Sequence, residues 1–195
     1  MRRGPKARPL LRSIAGAAAI EFALLLPVFC LVVMGTMEVG YKIYAVSVSN
    51  GAIREAARMA STGEFTGAQI DAEVMKRIQA FRRTATVNIV KKSYSDFTGV
   101  GLPEPILSGS YESGTYCFSD VNENGNRDDD QGVNGLGDAE DVIYYEVTTS
   151  YPTLFKFTEK VLKFPSITTV KLNTIVSNEP FAAVVRTPPP KVCKS

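Results

Sequence analysis

The chain has 195 residues, 45% of them hydrophobic, and a net charge of +2. The first sixteen residues hold five basic residues and no acid, which leaves the rest at −3 and excludes a basic nucleic-acid-binding domain. Histidine is absent, so Ser-His-Asp and Cys-His catalysis and His-ligated zinc or iron are excluded as well.

In chain order, Arg2, Arg3, Lys6, Arg8 and Arg12 lead into an apolar run from Ala15 to Met37, 23 residues in which Glu21 is the single charge. As a helix rising ~1.5 Å per residue, the run reaches about 34 Å, enough for a ~30 Å hydrocarbon core. Basic residues before it, against Glu38 and a lone Lys42 after it, predict a cytoplasmic N-terminus and a translocated chain beyond residue 40. Cys30 lies in the run as a small, soft apolar residue. A secretory signal peptide cut near Gly35 is the poorer account, because the run is long for such a peptide and "VMGTM" is a mediocre cleavage site. A plain signal anchor explains everything except Glu21, whose carboxylate costs roughly 2.5–3.5 kcal/mol inside a bilayer.

The helical pattern outlasts the apolar run. Tyr41, Tyr44, Val48, Ala52, Ile53, Ala56 and Ala60 continue one apolar or small face, with Arg54, Glu55 and Arg58 on others, until "Ser61-Thr62-Gly63" supplies a stop. A second, shorter helix is predicted after Gly67, with Ile70, Val74, Ile78 and Phe81 on one face. β-Branched stretches then predict strands at Thr84–Val90, Asp141–Tyr151 and Ser166–Val176. Gly and Pro mark loops between residues 99 and 114 and near Pro152. The fold class is therefore α+β: a long N-terminal helix, its outer half in the membrane, packed with the second helix on an antiparallel sheet of three or four strands.

The stretch "DVNENGNRDDDQG", from Asp120 to Gly132, carries the most chemistry outside the membrane run. Asp120, Asn122, Asn124 and Gly125 match the first half of a calcium loop, in which oxygens at alternate positions converge and a glycine allows the turn. Asn126 and Asp128 continue the alternation. Position twelve, however, is Gln131, where a bidentate carboxylate should close the site, and Asp130, Asp138 or Asp141 would have to supply it from outside the pattern. The competing account is an Asn/Gly turn whose side chains bond their own backbone. A calcium site built here is weak, in the ~0.1–1 mM range, because two of its ligands are neutral Asn. Cys117 and Cys193 both lie beyond the membrane and pair as a disulfide if that side is oxidising, tying the Pro-rich tail to the domain. Adjacent carboxylates such as Asp128 and Asp130 lie in a polar loop with nothing to raise one pKa, and phosphate-loop and nucleophile motifs are missing, so an enzyme is not expected.

"GAAAIEF", Gly16 to Phe22, resembles the cleavage region of type IV prepilins and pseudopilins, and most closely that of TadE-like proteins of tight-adherence (Flp-type) pilus systems. "YAVSVSNGAIREAARMAS" (Tyr44–Ser61), the acidic stretch and strand from Cys117 to Val147, and "SNEPF" (Ser177–Phe181) resemble further parts of the same family. The resemblance implies cleavage after Gly16 by a membrane prepilin peptidase, with Ala17 as the new N-terminus and Glu21 as residue five of the mature chain. A freed α-amino group, pKa near ~8, can then pair with Glu21 of its own or a neighbouring helix and fix their axial register. On this reading Gly16 and Ala17 carry processing, and Glu21 and Phe22 carry assembly.

The pilin-like organisation expected is a basic leader over 1–16, a helix over 17–62 with its transmembrane half at 17–37, an α+β periplasmic domain over 63–181 with the acidic loop at 117–141, and a Pro-rich tail over 182–195. The resemblance implies a minor pseudopilin of the bacterial inner membrane, single-pass and N-in, acting in pilus assembly and hence in adherence and biofilm formation. The implied partners are the prepilin peptidase, the major pilin, a TadF-like pseudopilin, the assembly platform and membrane lipid, with no nucleic acid. The alternative is an unprocessed single-pass anchor presenting a calcium-binding periplasmic domain.

Overall fold

The computed structural model describes residues 14–179 and 187–194. Most of the basic leader, Pro180 and Phe181 of "SNEPF", and residues 182–186 of the tail lie outside the described residues.

The first helix, α1, runs Ile14–Ser61, 48 residues with Pro27 inside it. It serves two compact units. The first unit holds the described part of α1 up to Lys42 together with Thr153–Ser166, a segment that carries a short helix, α3, at Lys156–Val161. Along α1 in this unit the apolar side chains face outward, as with Leu24, Val28 and Phe29. The helix is long and apolar enough to cross a membrane.

The second unit comprises Ile43–Pro152 and the described residues from Ile167 on. Helix α2, Gly67–Phe81, begins with a capping box: Thr66 Oγ1 accepts the Gln69 N–H, and Gln69 Oε1 accepts the Thr66 N–H at 2.8 Å. Its buried face is Ile70, Val74 and Ile78. Strands β1 (Thr86–Tyr94), β4 (Val133–Asn134), β5 (Val142–Pro152) and β6 (Ile167–Ser177) form an antiparallel sheet ordered β4-β1-β5-β6. On β5 the residues Ile143, Tyr145, Val147, Thr149 and Tyr151 are buried by strict alternation. Against that core sit the small Ala45, Ser49, Ala52 and Ala56 of α1, with the larger Ile53 buried beside them, and Ser49 Oγ is 3.5 Å from Thr149 Oγ1. Phe81 closes the end of the layer, edge-on to both Tyr44 and Tyr151.

The α+β class and the helix-on-sheet packing are as the sequence predicts, but three details differ. Strand β1 runs on to Tyr94, through Lys91 and Lys92, because each lysine is paired: Lys91 Nζ with Asp71 Oδ2 at 2.6 Å, Lys92 Nζ with Asp130 Oδ2 at 2.5 Å. The predicted loop over 99–114 contains a strand, β2 (Ile106–Ser110), which pairs with β3 (Thr115–Ser119). Gly109 has φ +85°, and a Cβ there would strike the Thr115 backbone, so glycine is required for this tight pairing. The tail forms β7 (Lys191–Lys194), which pairs antiparallel with β3 and completes a second, three-stranded sheet of order β2-β3-β7. In it Cys117 faces Cys193, and the two are joined by a disulfide across 76 positions of sequence.

Candidate functional site

Gly16, Ala17, Ile20, Glu21 and Phe22 lie on the first turns of α1 and are exposed. Ala17 and Glu21 are four residues apart, about 6 Å along the axis and on one face. Glu21 makes no hydrogen bond or ion pair among the described residues. Its carboxylate therefore stands on an apolar stripe of Ala17, Leu24, Leu25 and Val28, available to a group from outside this helix.

Further along α1, Glu38 behaves in the opposite way. Its carboxylate is buried and accepts the backbone N–H groups of Leu154 (3.1 and 3.0 Å) and Phe155 (3.4 Å). A carboxylate can be held away from water when peptide donors replace its hydration, and here they do. The sequence uses Glu38 only as a charge marker for topology. Its role depends on amides 116 positions away, which no local pattern announces.

The acidic loop is ordered by its own oxygens. The Asp120 carboxylate is buried and accepts the N–H groups of Asn124 (3.1 Å) and Gly125 (2.7 Å), while Asn124 Oδ1 accepts the Asn126 N–H at 2.7 Å. Gly125 has φ +76°, the turn conformation that the motif's glycine permits. The side chains of Asn122 and Asn124 both reach Asp128 Oδ2, each at 2.6 Å. Glu104, which the sequence reading missed, is wholly buried beneath the loop: Oε1 accepts the Val121 N–H at 2.7 Å and Oε2 the Asp128 N–H at 3.1 Å.

Two of the three carboxylates expected to complete a calcium site, Asp130 and Asp141, are engaged elsewhere. Asp130 accepts from Lys92, from the Tyr94 hydroxyl (2.9 Å) and from the Gly132 N–H (3.0 Å). Burial alone would raise the Asp130 pKa, but these three donors, Lys92 foremost, hold it below its ordinary value. Tyr94, desolvated and bonded to that carboxylate, is pushed well above the ordinary tyrosine range. Asp141 accepts the Asp138 N–H at 2.7 Å, and Gln131 turns away to donate to the Gly99 carbonyl at 2.9 Å. Among the described residues no group of three or more His, Cys, Asp or Glu side chains is gathered for a metal. The donor set Asp120, Asn122, Asn124 and Asp128 is all oxygen with two carboxylates, which suits a hard cation held weakly and suits no thiophilic metal.

Residues 16–58 match the family model described as TadE-like protein. The N-terminal segment is TadE-like. The TadE-like segment opens at Gly16, takes in Glu21 and Phe22, and closes at the exposed Arg58, one turn before the end of α1. It is thus the part of the chain folded as α1, and it excludes the acidic loop and both sheets. Neither a curated protein nor a solved structure matches the chain. The apolar helix fits a single-pass membrane anchor.

Proposed function

We propose that this protein is a minor pseudopilin that acts in assembling tight-adherence pili. The observation that carries the reading is the TadE-like match from Gly16 onward, in which a membrane-length helix exposes one carboxylate, Glu21, on an apolar face. In this account a prepilin peptidase cleaves after Gly16 and frees the amine of Ala17. That amine pairs with Glu21 of its own or an adjacent pilin helix, offsetting part of the cost of a buried carboxylate and selecting one axial stagger. Phe22 and its apolar neighbours supply the lateral contact. The C-terminal residues stand on the periplasmic side of the bacterial inner membrane. Partners are the peptidase, the major pilin, a TadF-like pseudopilin and the assembly platform, and the outcome is adherence and biofilm formation. The role is structural, with no reaction catalysed by the chain.

The N-terminal residue and intact mass of the protein from its native membrane, with and without the peptidase, test this. A start at Ala17 that disappears with the peptidase supports it; a retained leader in both backgrounds overturns it.

A second reading rests on Asn122 and Asn124 gathering at Asp128, where each now donates its Nδ2: the domain is an anchored module whose loop takes calcium once these amides turn their oxygens inward. Asp120, Asn122, Asn124, Asn126 and Asp128 would hold the ion, which would supply charge neutralisation and rigidity to the loop. A calcium titration followed by thermal unfolding tests it. A rise in melting temperature over ~0.1–1 mM calcium, absent in Asp128→Asn, is the expected result; no shift at several millimolar removes the reading.

A further inference from the structure

Between β5 and β6 the chain makes an excursion, Thr153–Ser166, closed at its base by the Thr153 N–H donating to the Ser166 carbonyl at 3.1 Å. The excursion shares a compact unit with the apolar portion of α1. Two observations fix its level along that helix. Glu38 holds the Leu154 and Phe155 amides, and Leu162 stands at Gly35, where its Cδ1 lies 3.5 Å from the place a Cβ would occupy. Gly35 is twenty residues beyond Ala15, which on a helix is about 30 Å, the thickness of a hydrocarbon core. The excursion therefore sits at the level where the apolar run reaches the lipid headgroups.

Its surface chemistry suits that level. Leu154, Phe157, Val161 and Leu162 are exposed, Phe157 by 53%. Around them stand the exposed Lys156, Lys160 and Lys163 against a single acid, Glu159, a net charge of +2 in fourteen residues. Exposed apolar side chains ringed by lysines are costly in water, but an anionic interface accepts both parts, the apolar groups among the upper acyl chains and the ammonium groups at the phosphates.

We propose that the β5–β6 excursion is a second membrane contact, dipping Leu154, Phe157, Val161 and Leu162 into the headgroup layer of an anionic lipid surface beside the span. Glu38 is its positioning residue, fastening the excursion to the helix at the correct depth. The proposal rests on α1 spanning the membrane, and the experiment separates the two.

The chain has no tryptophan, so Phe157→Trp and, separately, Phe29→Trp each create a single reporter in the full-length protein. Both are reconstituted in vesicles of phosphatidylcholine with phosphatidylglycerol, with bromine placed either near the headgroup or deep in the acyl chain. The expected result is deep quenching of Trp at 29 and blue-shifted emission with shallow quenching of Trp at 157. Water-like, unquenched emission at 157 beside quenching at 29 overturns the proposal and leaves the span intact. Blue-shifted but unquenched emission at 157 means that protein, a second copy included, covers this face and also overturns it. Absence of quenching at 29 overturns the span and the proposal together. Replacing Lys156, Lys160 and Lys163 with Gln in the Phe157→Trp protein should reduce shallow quenching in anionic vesicles; unchanged quenching overturns the role given to charge.

Discussion

Glu104 and Asp128 hold each other through two hydrogen bonds: the Glu104 N–H donates to the Asp128 carbonyl at 3.0 Å, and the Asp128 N–H returns to Glu104 Oε2 at 3.1 Å. With Oε1 on the Val121 N–H, one wholly buried side chain fastens both ends of the acidic loop. Replacing Glu104 by Ala leaves two peptide donors without their acceptor. The expected loss is about 2–4 kcal/mol, read by denaturant unfolding of the full chain in detergent. Glu104→Gln, which keeps an acceptor oxygen but sets an amide NH2 against the second donor, should lose less. Equal stability of all three proteins would show that the loop is held by other means.

The disulfide between Cys117 and Cys193 supports a second prediction. β7 has four residues, too few for a stable edge strand by pairing alone. Cys193→Ser should destabilise the domain by about 2–4 kcal/mol, the common range for a bridge closing a long loop. Limited proteolysis should then cut before Lys191 in the variant under conditions that spare the parent.

Lys92, Asp130 and Tyr94 make the stability of the C-terminal end of β1 depend on pH. The Asp130 pKa is depressed in the folded state, so its contribution is full above the ordinary carboxylate value near ~3.9 and fades as pH falls through the lower folded value. The Tyr94 pKa is raised, so its contribution is full below ~10 and fades as pH climbs beyond that. Asp130→Asn should accordingly be less stable than the parent from pH 5 to 8 and converge with it in strong acid. Melting curves of both proteins from pH 2 to 8 check this, and a constant gap throughout would refute the assignment.

Glu21→Ala separates assembly from processing. Peptidase cleavage after Gly16 should persist, because the scissile bond lies five residues away, while surface pili disappear. Immunoblotting for the mature form and electron microscopy of the same cells measure the two effects. Normal piliation would remove Glu21 from assembly.

What could be read in advance follows the physics of each element. α1 and α2 declared themselves because a buried helix face must repeat every three to four residues, and Ile70, Val74 and Ile78 do so. β5 did so by alternation. The second sheet gave no such sign: all five residues of β2, "ILSGS", are exposed, so there was no inner face to betray it. β7 is visible only through its bridge to β3. Glu38 and Glu104 were illegible for a related reason. A charged residue is normally a solvated one, and what buries these two is a set of backbone N–H groups brought from distant sequence, which side-chain patterns do not encode. Glu21 could be singled out because its surroundings are its immediate neighbours.

The bridge also makes residues 117–193 a covalent ring. The acidic loop, β5, the α3 excursion and β6 all lie on that ring. A protease that nicks any one of them leaves a molecule of unchanged mass but for one added water, with both fragments still joined. Such damage would escape a non-reducing gel entirely and surface only after a reductant opens the ring.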